Sequence, residues 1–476
     1  MAASSGLLPL VAITAMLSSG AAAAADGEVT VSPDQQTALS LTVYQQDLAL
    51  VQDRRNVKLG EGLNYIAFAG VSAQLKPDTV LVDSLDGDHP RLIEQRFENA
   101  LLTPRALLLA SVGHEIRIAI RNPQTGEERI ETATVLAASQ GLVLKMGDRI
   151  ETVPPGRIIY DGVPPNLRAT PTLSLMLTSL RGGETPIAIS YLTGGVTWSA
   201  NYVAELNETD NKMTLSGRAS VANASGIDYR KAQLTLVAGS LNRVPEAPQP
   251  PRPEPRMAMM AAAAAPSSPA PVPLGDYYRF ALDRQISLGD HETVQLALLQ
   301  AAAVTVKKSY WLTDSAPVTA SATTAATPVK VDVRLDFDNK KAAGLGMPLP
   351  SGVVRVYQRG SDDTTAFLGE DRIASTAVDK PVTLTLGQAF DVTAERRQTS
   401  FAHPNDKSFE AGEEITLHNA SDKPVTVTVV ETIPGNWTIV EQSDPHQKVG
   451  AAEAQWHIDV PAKAIHKLSY RVVSRF

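Results

Sequence analysis

The 476-residue sequence contains no cysteine, which removes disulfides, thiolate metal sites and lipid attachment through a thiol. Aromatic residues make up only 5%, too few for the aromatic girdles that flank a membrane-spanning β-barrel. Clustered positive charge is missing as well. The formal net charge is −8, spread without long like-charge blocks, so no basic run matches a nucleic-acid backbone and nucleic acid is not an expected partner. Catalytic signatures are equally scarce: G-x-S-x-G, S-x-x-K, the phosphate loop, G-x-G-x-x-G and H-E-x-x-H do not occur. Gly344-Leu345-Gly346 lacks the third glycine of a dinucleotide fingerprint. No cofactor is implied.

What is present is an ordinary globular composition, with 43% hydrophobic and 20% charged residues. The length predicts two to four units. Residues 1–25 carry no charged side chain, run apolar from Leu7 to Leu17 and end in Ala21–Ala25 before Asp26, the pattern of a signal peptide with an A-x-A cleavage site. Eleven apolar residues fall short of the ~20 that span a bilayer. The expected protein is therefore exported, periplasmic or extracellular, with no transmembrane segment after cleavage.

From there the chain alternates with period two, the mark of β-strands. Residues 26–110 read as an N-terminal β region, with a short helix in "ENALLTPRALLLASVG", where Pro104 suits a first turn and Gly113 a stop. Residues 111–165 hold five short runs separated by Asn122-Pro123, Gln140-Gly141, Gly147-Asp148 and Pro154-Pro155-Gly156, the spacing of a small inserted β-barrel. Residues 166–405 read as a central β-sandwich region, interrupted at 245–273 by a Pro/Ala-rich stretch that has little to pack and should be an extended loop. Residues 406–476 alternate with turns about every ten residues, the pattern of an immunoglobulin-like domain. The fold class expected is all-β: several β-sandwich or immunoglobulin-like units, a small inserted barrel and one or two short helices.

Long phrases in this pattern are distinctive. "VYQQDLALVQDRRNVKLGEG", "YLTGGVTWSANYVAEL", "VANASGIDYRKAQLTLVAG", "LPSGVVRVYQRGSDDTTAFLGED" and "LGQAFDVTAERR" resemble bacterial envelope proteins of the mucoidy-inhibitor-like family, defined by an uncharacterised conserved domain and an N-terminal companion domain. The resemblance covers nearly all of the chain after residue 25. It implies an exported β-rich protein and brings no agreed activity or catalytic residues. Longer members carry a coiled coil where this chain has the small barrel-like segment.

Most candidate side chains have plain structural roles. His446, His457 and His466 are eleven and nine residues apart, wider than the paired spacing of zinc sites. The acidic loops with Asp83, Asp86 and Asp88, and with Asp362, Asp363, Glu370 and Asp371, suit turns better than a Ca²⁺ cage. No metal site is expected. Sequons at Asn207, Asn223, Asn419 and Asn436 reflect turn composition. Trp198 and Tyr202 are four apart on one strand and share a face. They form either a sugar-stacking platform or, preferred, part of a sandwich core. Trp437 and Trp456 pose the same choice. The C-terminal "LSYRVVSRF" reads as the last strand of the terminal sandwich.

The function expected is non-catalytic: an envelope protein whose sandwich surfaces bind or scaffold an envelope polysaccharide or envelope protein. Two alternatives are a carbohydrate-active enzyme with a dispersed acidic site and an adhesive or structural module.

Overall fold

A computed structural model describes residues 27–84, 90–164, 166–242, 269, 271–313, 325–360 and 364–476. The leader at 1–25, most of the 245–273 loop, and Asp86, Asp88, Asp362 and Asp363 lie outside the described residues. The fold is all-β. Thirty-one strands accompany a single α-helix among the described residues, Pro104–Ala110. Its start follows the local chemistry: Pro104 fixes the first-turn φ, and the Thr103 hydroxyl accepts the Ala106 amide at 3.1 Å.

The described residues divide into two compact units, the first drawn from 1–37, 54–73 and 81–189, the second from 38–53, 74–80 and 190–476. In the first unit, Thr172–Ser179 lies between Gly62–Ala69 and Arg91–Glu98, antiparallel to both, and Val29–Val31 adds in parallel to Gly62–Ala69. Buried Arg55 ties this sheet together by donating to Val31 O at 2.9 Å and Ala69 O at 2.7 Å, with its guanidinium over the Phe68 ring. The five strands of the 111–165 stretch form one antiparallel sheet around Ile116, Ile118, Val135, Leu144 and Met146. This sheet is a half-barrel. Its end strands, Arg149–Glu151 and Arg157–Ile159, are three residues long and pair inward only, too short a ladder to close a barrel.

In the second unit, Val196–Leu206, Lys212–Asn223, Thr293–Leu312 and Gly352–Arg359 are neighbours in one sheet. Tyr229–Ala238 pairs antiparallel with Tyr277–Leu288 and parallel with residues of Gln36–Tyr44. Pro271–Leu274, at the end of the expected loop, is itself a strand paired to Tyr277–Phe280. The long strand Thr293–Leu312 changes partners along its length. Its first part pairs with Lys212–Ala222 and its last with Asp332–Phe337 and Val427–Val429. A bulge at Ala302–Ala303 interrupts the first ladder close to its end, with Ala303 at φ +57°, a left-handed conformation uncommon outside glycine.

Two turns in this unit are built alike. Asn223 and Asn419 each begin an Asn-Ala-Ser triplet and are each 2% exposed. The Asn223 carboxamide donates to Ile227, Leu288 and Gly289 carbonyls and accepts the Ser225 amide. The Asn419 carboxamide donates to Lys423, Val460 and Pro461 carbonyls and accepts the Ser421 amide. Buried backbone at the sheet ends needs partners, and one side chain supplies them.

The terminal sandwich packs Val392–Asn405, Ser408–Asn419 and Ala464–Arg475 of one sheet against Val425–Thr432 and Glu453–Val460 of the other, around Ile415, Leu417, Val427, Val429, Trp456 and Leu468. Inside this apolar core sits a buried ion cluster. Arg396 donates to Glu413 at 3.2 Å and to Glu431 at 3.1 and 2.8 Å. Burial pushes the Glu431 carboxyl up to about 7 against the pull of Arg396, and it raises Glu413 in the same direction. Burial works against the Arg396 charge, yet Glu431, Tyr470 and Glu413 hold its pKa above the ordinary value.

Because the folded state holds the Glu431 proton more tightly than the unfolded chain does, the resulting stabilisation is full below about pH 4.5 and is lost as pH rises through 7. The difference is on the order of 3 kcal/mol at most. His446, held low by burial and by Lys448, acts in the opposite sense. Thermal unfolding of the terminal sandwich followed from pH 5 to 8 should show a falling midpoint that Glu431→Gln flattens. An unchanged slope in that variant would show that another group carries the dependence.

Candidate functional site

The four aromatic residues singled out by spacing lie in cores. Trp198 is 2% exposed and Tyr202 is fully buried. Both fall in the apolar phase of their strand, with Val196, Ala200, Ala204 and Leu206. The Trp198 indole donates to Val237 O at 3.1 Å, and its ring meets Phe280 edge-on. The Tyr202 hydroxyl donates to Pro350 O at 2.8 Å, and Gly217 opposite makes room, since a Cβ there would lie 3.1 Å from the ring. Trp437 is buried with its N–H on Ala451 O and Lys448 above its ring. Trp456 is buried and stacks on Tyr470 at 4.9 Å. None of these rings presents a face to solvent.

The three histidines do not converge either. His446 pairs with Gln442, His457 with Thr428 and Gln455, and His466 with Asp444. Among the described residues no three His, Asp or Glu side chains gather at one point. Glu370 ion-pairs with Arg355, and Asp371 accepts the Arg372 and Thr385 amides, so these acids serve strand contacts.

The fourth tryptophan, Trp311, sits differently. On Thr293–Leu312 the even positions Val304, Val306 and Leu312 are buried, whereas Thr305 and Lys307 are exposed and Ser309 and Trp311 only half-buried. Trp311 is the single large apolar residue in the outward phase of that segment. The strand register builds a polar face around it, with Thr428 on that face only 6% exposed, because directly paired residues share a sheet face. Trp311 pairs with Asp332 on one side and Thr428 on the other, and Thr428 pairs with His457. The next row holds Ser309, Arg334 and Thr385, and the one after it Lys307, Asp336 and Thr383.

Side chains on this face are ordered by short contacts. The Arg334 guanidinium carbon lies 4.6 Å from the Trp311 ring centroid. The indole N–H donates to Ser309 Oγ at 2.9 Å, and that hydroxyl donates to Asp336 at 2.7 Å. Thr383 donates to the other Asp336 oxygen at 2.7 Å. Thr428 Oγ1 is 3.2 Å from His457 Nδ1. A shallow cleft of about 300 Å³ opens at the Lys307 row, lined also by Asp336, Phe337, Pro381 and Thr383. The face thus combines an aromatic ring edge, stacked cation, carboxylates and hydroxyls, donors and acceptors suited to polyhydroxylated ligands.

No helix among the described residues is long and apolar enough to cross a membrane. No curated protein matches the chain. The family match covers the strands that build the Trp311 face and both carboxamide turns: the chain belongs to the family of the domain of unknown function DUF4139, whose model matches residues 187–476.

Proposed function

We propose that the chain is an exported, non-catalytic envelope protein of the mucoidy-inhibitor-like type, and that it holds an envelope polysaccharide on the outer sheet face around Trp311. The observation that carries this reading is the position of Trp311. It is the one tryptophan of four that lies outside the cores, set among Arg334, Ser309, Asp336, Thr383, Thr428 and His457. Sugars present apolar C–H patches and rows of hydroxyls, and a half-buried aromatic with flanking polar groups fits both. Export rests on the uncharged apolar leader with its Ala21–Ala25 run. The non-catalytic reading rests on a sequence without a nucleophile motif.

Two variants separate the functional ring from a core ring. Trp311→Ala should abolish retention on polysaccharide extracted from the native envelope while costing about 1 kcal/mol of stability, the scale of an exposed cation–π contact. Trp198→Ala should lower stability by roughly 3–5 kcal/mol. Full retention by Trp311→Ala would refute the site, and release of reducing ends by the wild type would refute the non-catalytic reading. Intact-mass measurement on protein from its native host should place the mature N-terminus near Asp26. A soluble form retaining Met1 would refute export.

A further inference from the structure

The cations on and beside the Trp311 face are unequally satisfied. Lys308 ion-pairs with Asp210 at 3.0 Å, and Arg355 with Glu370 at 3.0 Å. The Lys307 and Arg334 side chains make no hydrogen bond or ion pair with any described residue, and the Arg334 Nε is buried without a partner. Lys307 lies directly opposite Asp336, two residues along from Arg334. The two cations are therefore diagonal cross-strand neighbours, roughly 7–8 Å apart at the backbone.

The nearby carboxylates form no ion pair with them. Asp336 spends one oxygen on Ser309 and the other on Thr383. Asp332, beside Trp311 in register, is not within ion-pair distance of either cation. Stacking on the indole leaves the terminal Nη groups of Arg334 able to donate in the guanidinium plane, while the buried Nε takes no part. A carboxylate matches that planar fork.

The geometry points to a carboxylate-bearing sugar as the ligand of this face, an inference that rests on the glycan reading above. Arg334 takes the carboxylate from its seat on Trp311, and Lys307 adds a second positive charge at the mouth of the 300 Å³ cleft. Asp332 remains as an acceptor for sugar hydroxyls. The acids on the same surface, Asp332, Asp336, Asp338, Glu453 and Asp459, oppose a densely charged polyphosphate, so the attraction is the local one of Arg334 and Lys307 for a single carboxylate.

Calorimetric titration of the full chain with oligogalacturonate, its methyl ester and a neutral dextran oligosaccharide of equal length tests this. The free acid should bind at least about tenfold more tightly than the ester, the margin of one charge-assisted hydrogen bond, and should weaken with added salt. Arg334→Ala should bring acid and ester to equal affinity, and Arg334→Lys should keep part of the difference, with unfolding curves confirming that both variants are folded. Equal binding of acid and ester by the wild type overturns the carboxylate assignment and leaves the glycan reading standing. Preserved acid preference in folded Arg334→Ala overturns the role of Arg334. Binding of none of the three, with retention on native envelope polysaccharide intact, overturns the ligand class. Loss of that retention too brings down the glycan reading itself.

Discussion

The terminal sandwich closes over a charge it cannot leave alone. Arg396 and Glu413 come from one sheet and Glu431 from the other, all three nearly inaccessible to water. A buried guanidinium must find carboxylates, and here the nearest lie on both layers, so the sheets are held in one relative register. Losing a single partner from such a cluster costs about 3–5 kcal/mol, far more than the cluster adds over a well-packed apolar core. Its contribution is therefore uniqueness more than stability. The strand that supplies Glu431 also carries Thr428 on its opposite face, in register with Trp311. The inner ion cluster and the outer polar face are two sides of the same sheet.

This arrangement was legible in the alternation of the sequence, provided that phase is read as well as period. Arg396 follows Val392 and Ala394, Glu413 lies between Ala411 and Ile415, and Glu431 follows Val427 and Val429. Each charge occupies the apolar phase of its strand, which marks it as inward-facing and in need of a partner. Which partner is another matter, since Glu413 and Glu431 lie 17 and 35 residues from Arg396. Pairing across two sheets depends on packing that local pattern does not contain. The same reasoning separates the tryptophans. Trp198 keeps phase with Val196 and Ala200, and Trp456 with Ala454 and Ile458, whereas Trp311 keeps phase with Lys307 and Ser309. Spacing between aromatic residues, which drew attention to Trp198 and Tyr202, carries no information about direction.

Other features follow from residues whose local chemistry is strong. Thr103 and Pro104 specify the start of the one α-helix among the described residues, and alternation marks most strands. The half-barrel and the strand at Pro271–Leu274 were less legible. Closure of a small barrel depends on the length of its end strands, and pairing of a proline-rich segment depends on an available edge, here that of Tyr277–Phe280. The sequons at Asn223 and Asn419 read as turn residues from composition, and the carboxamides are indeed engaged with backbone at two turns. A side chain so committed is closed to modification in the folded protein.

The central claim is that one tryptophan serves a surface and three serve cores. It is tested most directly by fluorine NMR of protein labelled with 5-fluorotryptophan, which gives one resonance for each of the four indoles. Added envelope polysaccharide should shift the resonance that Trp311→Phe removes and leave those of Trp198, Trp437 and Trp456 in place. A shift confined to the three core indoles, or an unperturbed Trp311 resonance at saturating polysaccharide, would contradict the account.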